Sequence, residues 1–90
     1  MRKNRDFHNG VTRRARALRR QIGANIHAHR VRRNVTMEKL SRLSGLSVRC
    51  IDHLEMGKGE ASLRHLICLS LALSVSVDDI LAGDIVTPAA

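Results

Sequence analysis

Apolar positions along the chain recur at helical spacing, and no stretch alternates as a strand does. Val11, Ala15, Leu18, Ile22 and Ile26 follow one another at steps of four, three, four and four. That spacing makes one stripe of a helix, with arginines on the remaining faces. Thr12 is a candidate cap for this run, and the polar residues 1–10 ahead of it read as a flexible arm. Gly23 weakens a helix by about 1 kcal/mol relative to Ala and marks a candidate break. Two organisations stay open: one long helix, or an arm followed by a shorter helix from about Ile22. Further on, Leu40, Leu43, Leu46, Ile51 and Leu54 are the apolar positions of two short helical runs with Gly45 between them. Thr36 and Ser47 stand one residue ahead of each run, where a hydroxyl accepts a bond from a free first-turn N–H. Gly57-Lys58-Gly59 forms a loop with two residues free to take positive φ. Ser62 then caps a run containing Leu63, Leu66, Ile67, Leu69, Leu71 and Leu73, apolar on more than one face. Such a helix is either central in a bundle or turned partly toward a partner. Ser76 caps a last turn, with Asp78 and Asp79 near its positive start and Gly83 closing it. Thr87-Pro88-Ala89-Ala90 reads as a frayed tail.

The pattern thus predicts an all-α domain whose centre is residues 36–57: a short helix, a Gly turn and a second capped helix. That is a helix-turn-helix unit. The division along the chain is residues 1–21 as an Arg-rich extension, residues 22–83 as the folded domain and residues 84–90 as a tail. Composition adds a constraint. Of 90 residues only Phe7 is aromatic, so the core must be built from aliphatic side chains and is thin. Pairing of two chains would add burial. Lack of aromatic platforms argues against recognition of single strands or RNA by base stacking.

Charge changes the picture more. The net charge is +8, but residues 1–20 hold +7, residues 21–35 add +3, and residues 36–90 sum to −2. The surplus is therefore an N-terminal property, and a polyanion is its natural partner through release of counterions from phosphates. An anionic membrane surface is the competing reading. The longest apolar run, near residues 66–77, is too short to span a bilayer, and the first ten residues lack the apolar run of a secretory signal. Cys50 and Cys68 fit neither a metal spacing nor a disulfide framework and read as free thiols. These features point to a protein of the cytoplasm, associated with the nucleoid.

Ile22-Gly23, Ile26, Arg30, Thr36, Glu38, Leu40, Ser44-Gly45-Leu46-Ser47, Ile51, Leu54-Glu55, Gly57, Ser62-Leu63 and Leu66 follow in order the pattern of a known family. Over roughly residues 22–82 the chain resembles the Cro/CI-type, or Xre, helix-turn-helix family of phage repressors and bacterial regulators. The resemblance implies a five-helix lambda-repressor-like bundle, with a basic N-terminal extension added here. It implies residues 36–43 as the second helix and residues 48–55 as a recognition helix in the major groove of double-stranded DNA. Family members commonly read bases from the positions of Val48, Arg49 and His53. Arg49 has the chemistry for bidentate contact with guanine N7 and O6, and Val48 suits a thymine methyl. Further candidates around this helix are Thr36, Met37, Ser47, Cys50 and Asp52, with Lys39, Arg42, Lys58 and Arg64 as phosphate contacts.

The resemblance also implies that Arg30 and Glu55 form a largely buried ion pair tying the first helix to the end of the recognition helix. Several positions depart from the family pattern. Met37 stands where relatives have a phosphate-anchoring Gln, although its backbone N–H at a helix start still suits an anion. Ser41 stands where relatives have Ala. Cys50 replaces Ser or Thr, and Asp52 puts a negative charge on the side facing DNA. In the extension, Arg13, Arg14, Arg16, Arg19 and Arg20 are candidates for an arm on the DNA backbone or in a narrow minor groove. Alternatively the Val11, Ala15, Leu18, Ile22 stripe pairs with a partner helix.

No nucleophile–base pair, phosphate-cradling Gly loop or metal constellation is visible, and His27 and His29 lie two apart on different faces of a helix. The expectation is a non-enzyme without cofactor or metal: a homodimeric regulator, most simply a repressor, with RNA polymerase as a possible contact. Two other classes are an antitoxin that holds a toxin through the apolar residues 63–73 and a nonspecific basic nucleoid protein.

Overall fold

A computed structural model describes residues 2–83. Five helices follow one another: α1 (Arg2–Arg32), α2 (Met37–Ser44), α3 (Val48–Glu55), α4 (Leu63–Leu73) and α5 (Val77–Leu81). No strand occurs among the described residues. Helices α1, α3, α2 and α4 pack in sequence around the core, and α5 closes it against α1 and α4. The core is Ile26, Leu40, Ile51, Leu54, Leu66, Leu69, Leu73 and Ile80, all aliphatic. Each such side chain contributes about 1.5–3 kcal/mol on burial.

Sequence marks the start of each of α2 to α5. Thr36, Ser47, Ser62 and Ser76 are extended in backbone, and each hydroxyl oxygen accepts from the N–H three residues on. At α4 and α5 the bond is reciprocal, because Ser62 N–H donates to His65 Nδ1 and Ser76 N–H to Asp79 Oδ2. The Ser76 backbone and hydroxyl bonds hold the Asp79 carboxyl below its usual range. Gly45 ends α2 in the left-handed region, at φ 82°.

Several local expectations are corrected. Residues 2–10 are helical, not a flexible arm, and Thr12 lies inside α1 rather than at its start. No proline interrupts residues 2–32, and crossing Gly10 costs only about 1 kcal/mol, so the helix runs on. At Gly23 it does not break either. A Cβ there would lie 2.3 Å from the Leu54 carbonyl oxygen and 2.6 Å from that of Glu55. The residue is Gly because the backbones of α1 and α3 meet at that point. Leu43 is 53 % exposed; the inward stripe of α2 is Met37, Leu40, Ser41 and Ser44, one helical step away from it. In the 57–59 loop only Gly57 has positive φ, and α5 ends at Leu81, with Ala82 rather than Gly83 following as its cap. Residues 84–90, read as a tail, lie outside the described residues.

Two polar residues of α1, Asn25 and His29, enter the core; His29 Nε2 is buried there without a hydrogen-bond partner, whereas the Asn25 amide is satisfied. Asn25 is 1 % exposed, and its amide donates to Ile80 O at 2.7 Å and Ala82 O at 2.8 Å. That single side chain ties the end of α5 to α1.

Candidate nucleic-acid interface

Helices α2 and α3 are joined by residues 45–47. Leu46 packs against the core while its N–H donates to Ser44 Oγ at 3.1 Å. The turn therefore satisfies its own polar groups and sets the angle between the two helices. On α3, Ile51 and Leu54 are buried, which fixes its rotation. The outer side then presents Val48, Arg49 and His53, all exposed, with Asp52 half-buried beside them. Val48 and Arg49 occupy the first turn, whose orphan N–H groups give that end a partial positive charge. Ser47 takes up one of those groups, accepting from Cys50 N–H at 3.0 Å.

The other candidates are distributed around this face. Thr36 is exposed at the cap of α2, Lys39 and Arg42 are exposed on α2, Lys58 is exposed in the loop after α3, and Arg64 is exposed on the first turn of α4. Met37 turns its side chain against the core, which leaves its backbone N–H at the helix start. Cys50 is half-buried, with Sγ 3.7 Å from His65 Nε2. Since His65 Nδ1 accepts from Ser62, the neutral ring bears its proton on Nε2, pointing at the sulfur. This α3–α4 bridge had no signal in sequence spacing.

The far end of α3 is clamped to α1. Arg30 Nε donates to Glu55 Oε2 at 2.6 Å and Nη2 to Oε1 at 3.1 Å, while Nη1 donates to Val35 O at 2.9 Å. Side-chain exposure is 13 % for Arg30 and 5 % for Glu55. The hydrogen bond to Glu55, against the opposing effect of burial, raises the guanidinium pKa above its ordinary value. His27 Nδ1 lies 2.9 Å from the same Oε1, a contact whose only trace in the sequence is the three-residue step from His27 to Arg30. One carboxylate thus gathers two α1 side chains, and α3 is held at both ends.

Of the extension arginines, Arg13, Arg14, Arg16 and Arg20 are exposed. Arg19 differs: its guanidinium pairs with Glu60 at 3.3 Å. Among the described residues no three His, Cys, Asp or Glu side chains gather as a metal set, and no helix is long and apolar enough to cross a membrane.

A family profile described as helix-turn-helix matches residues 26–80, more than half of the chain and all of α2, α3 and α4. The chain belongs to the helix-turn-helix family of the Xre, or Cro/CI, type. Membership makes it a DNA-binding transcription regulator. Two solved structures share the Xre-type fold. The clp gene regulator ClgR from C. glutamicum is 32 % identical, over 80 % of this chain and 94 % of its own, with a TM-score of 0.71. The restriction-modification controller protein C.AhdI from Aeromonas hydrophila is 25 % identical, over 71 % of this chain and 97 % of its own, with a TM-score of 0.69. A search of curated proteins gave no match.

Proposed function

We propose that this Xre-family protein is a sequence-specific repressor that places α3 in the major groove of double-stranded DNA. One observation carries the reading: Val48 and Arg49 stand exposed on the capped first turn of a helix whose opposite side and far end are both held. Recognition helices dock by that end. Arg49 reads guanine, Val48 packs on a thymine methyl and His53 reaches the next base or a phosphate. Asp52 accepts from a cytosine N4 or orients Arg49. Thr36, Lys39, Arg42, Lys58, Arg64 and the Met37 N–H seat the unit on phosphates. The protein acts in the cytoplasm on the nucleoid, without catalysis, and blocks a promoter; contact with RNA polymerase would make it an activator instead.

A second copy completes the site. Leu63, Ile67 and Leu71 form one exposed line on α4, at 68 %, 45 % and 76 % exposure, and such a line is a natural dimer seam. Two copies then span half-sites about 34 Å apart. The same line supports the antitoxin reading, in which a toxin occupies it.

The test is selection of duplexes from a random library, followed by titration of selected and scrambled DNA. Arg49→Ala should weaken the selected duplex by about 1–3 kcal/mol and relax preference at one base pair. Equal binding of wild-type protein to selected and scrambled duplexes overturns the reading.

A further inference from the structure

The long first helix places its arginines by rule. At about 100° per residue, Gly23, His27 and Arg30 fall in one band of α1, and this band meets the end of α3. Arg5, Arg13, Arg16 and Arg20 fall in the same band. Phe7, Val11, Ala15 and Leu18 fall on the other side, in line with the core residues Ile22 and Ile26. The basic band is thus on the α3 side of the helix, and the apolar band faces away from it.

The helix is also held in direction. Gly23 abuts α3, a Cβ at Gly57 would lie 3.0 Å from the Arg20 Cα, and Arg19 pairs with Glu60. From Arg19 toward the N-terminus, all residues from Arg5 to Leu18 except Gly10 and Ala15 are exposed. The molecule's longest dimension is 48 Å, close to the roughly 46 Å of a straight 31-residue helix. The stretch from Arg5 to Arg20 spans about 22 Å, enough to pass several phosphates.

We infer that this band is a second DNA-binding surface, which lies on the phosphate backbone beside the site read by α3. It extends the DNA-binding reading but does not depend on α3 reading bases. A helix is about 10–12 Å across and the minor groove about 6 Å wide, so the extension runs along the backbone and does not thread that groove. A membrane surface fits less well. There the apolar side would have to enter the bilayer, and it is made only of Phe7, Val11, Ala15 and Leu18, with Arg14 at its edge.

The experiment compares two charge-matched variants of the full chain. Arg13→Gln/Arg16→Gln empties the basic band; Arg14→Gln/Arg32→Gln removes two charges from the opposite side. Binding to a random-sequence 40-bp duplex is titrated at several salt concentrations, with helix content checked by circular dichroism. The first variant should reduce the slope of log K against log salt by about 2. The second should leave it at the wild-type value, and Arg13→Lys/Arg16→Lys should restore it. Equal loss in both Gln variants means diffuse charge attraction and overturns the inference. So does an unchanged slope in both, or an unchanged slope accompanied by lost binding of Arg13→Gln/Arg16→Gln to phosphatidylserine vesicles. On random DNA the phosphate contacts of α2 to α4 are common to all the variants, so a difference between them reports on this band; failure of the α3 reading shows instead as equal binding to selected and scrambled duplexes.

Discussion

Glu55 is the residue on which the position of α3 most depends. Its carboxylate is nearly out of solvent and receives two bonds from Arg30 and one contact from His27. Removing it leaves the Arg30 guanidinium partly buried without its counter-charge, and losing one partner of such a pair costs about 3–5 kcal/mol. Glu55→Ala should therefore lower the melting temperature by well over ten degrees for a domain this small. A variant that melts with the wild type would show that the pair stabilises nothing. Periodicity could place Arg30 and Glu55 on their helices, but bringing residues 25 apart into contact needs either the fold or the family pattern. Leu43 shows the complementary limit. A Leu at roughly helical spacing looks like core, yet in a helix as short as α2 one step of rotation exposes it, and neighbours decide which side turns inward. The exposed side of α3 is legible only as residue types: Arg49 has guanine chemistry wherever it points.

At the scale of elements, α2 to α5 were readable because each announces its start with a hydroxyl residue whose cap needs only local geometry. The extent of α1 was not, because its start has no such signal and Gly23 imitates a break. Local propensity and tertiary packing make opposite claims at Gly23, and their magnitudes decide. Gly23→Ala would gain about 1 kcal/mol of helix propensity. Its Cβ, however, would be set 2.3 Å from one backbone oxygen of α3 and 2.6 Å from another, where no flexible side chain can give way. The helices must part, and overpacking of this kind typically costs about 1–3 kcal/mol or more. Net destabilisation in urea is the expected result, together with weaker DNA binding as α3 loses its seat. A stabilised Gly23→Ala would mean that the two helices do not meet this closely.

For the whole molecule, charge is divided between two parts. The helix-turn-helix half is slightly acidic and the long first helix is strongly basic, while exposed apolar side chains stand on α1 (Phe7, Val11, Leu18) and in a line on α4. On the proposed reading a single α3 would reach only a few base pairs, and a second copy would add selectivity and multiply affinity through effective concentration. The line Leu63, Ile67, Leu71 is where a second copy has most to gain. Leu71 is 76 % exposed, so Leu71→Glu costs the isolated chain little, within about 0.5 kcal/mol. In a dimer it would put two carboxylates into an apolar seam. Sedimentation should then find the wild-type chain at twice its 10.0 kDa mass and Leu71→Glu at the single mass. Thermal unfolding of the variant should lose its dependence on protein concentration. Affinity for a selected palindrome should fall, while affinity for one half-site stays unchanged. A wild-type chain that sediments at 10.0 kDa at micromolar concentration would remove the dimer and leave the α4 line to a different protein.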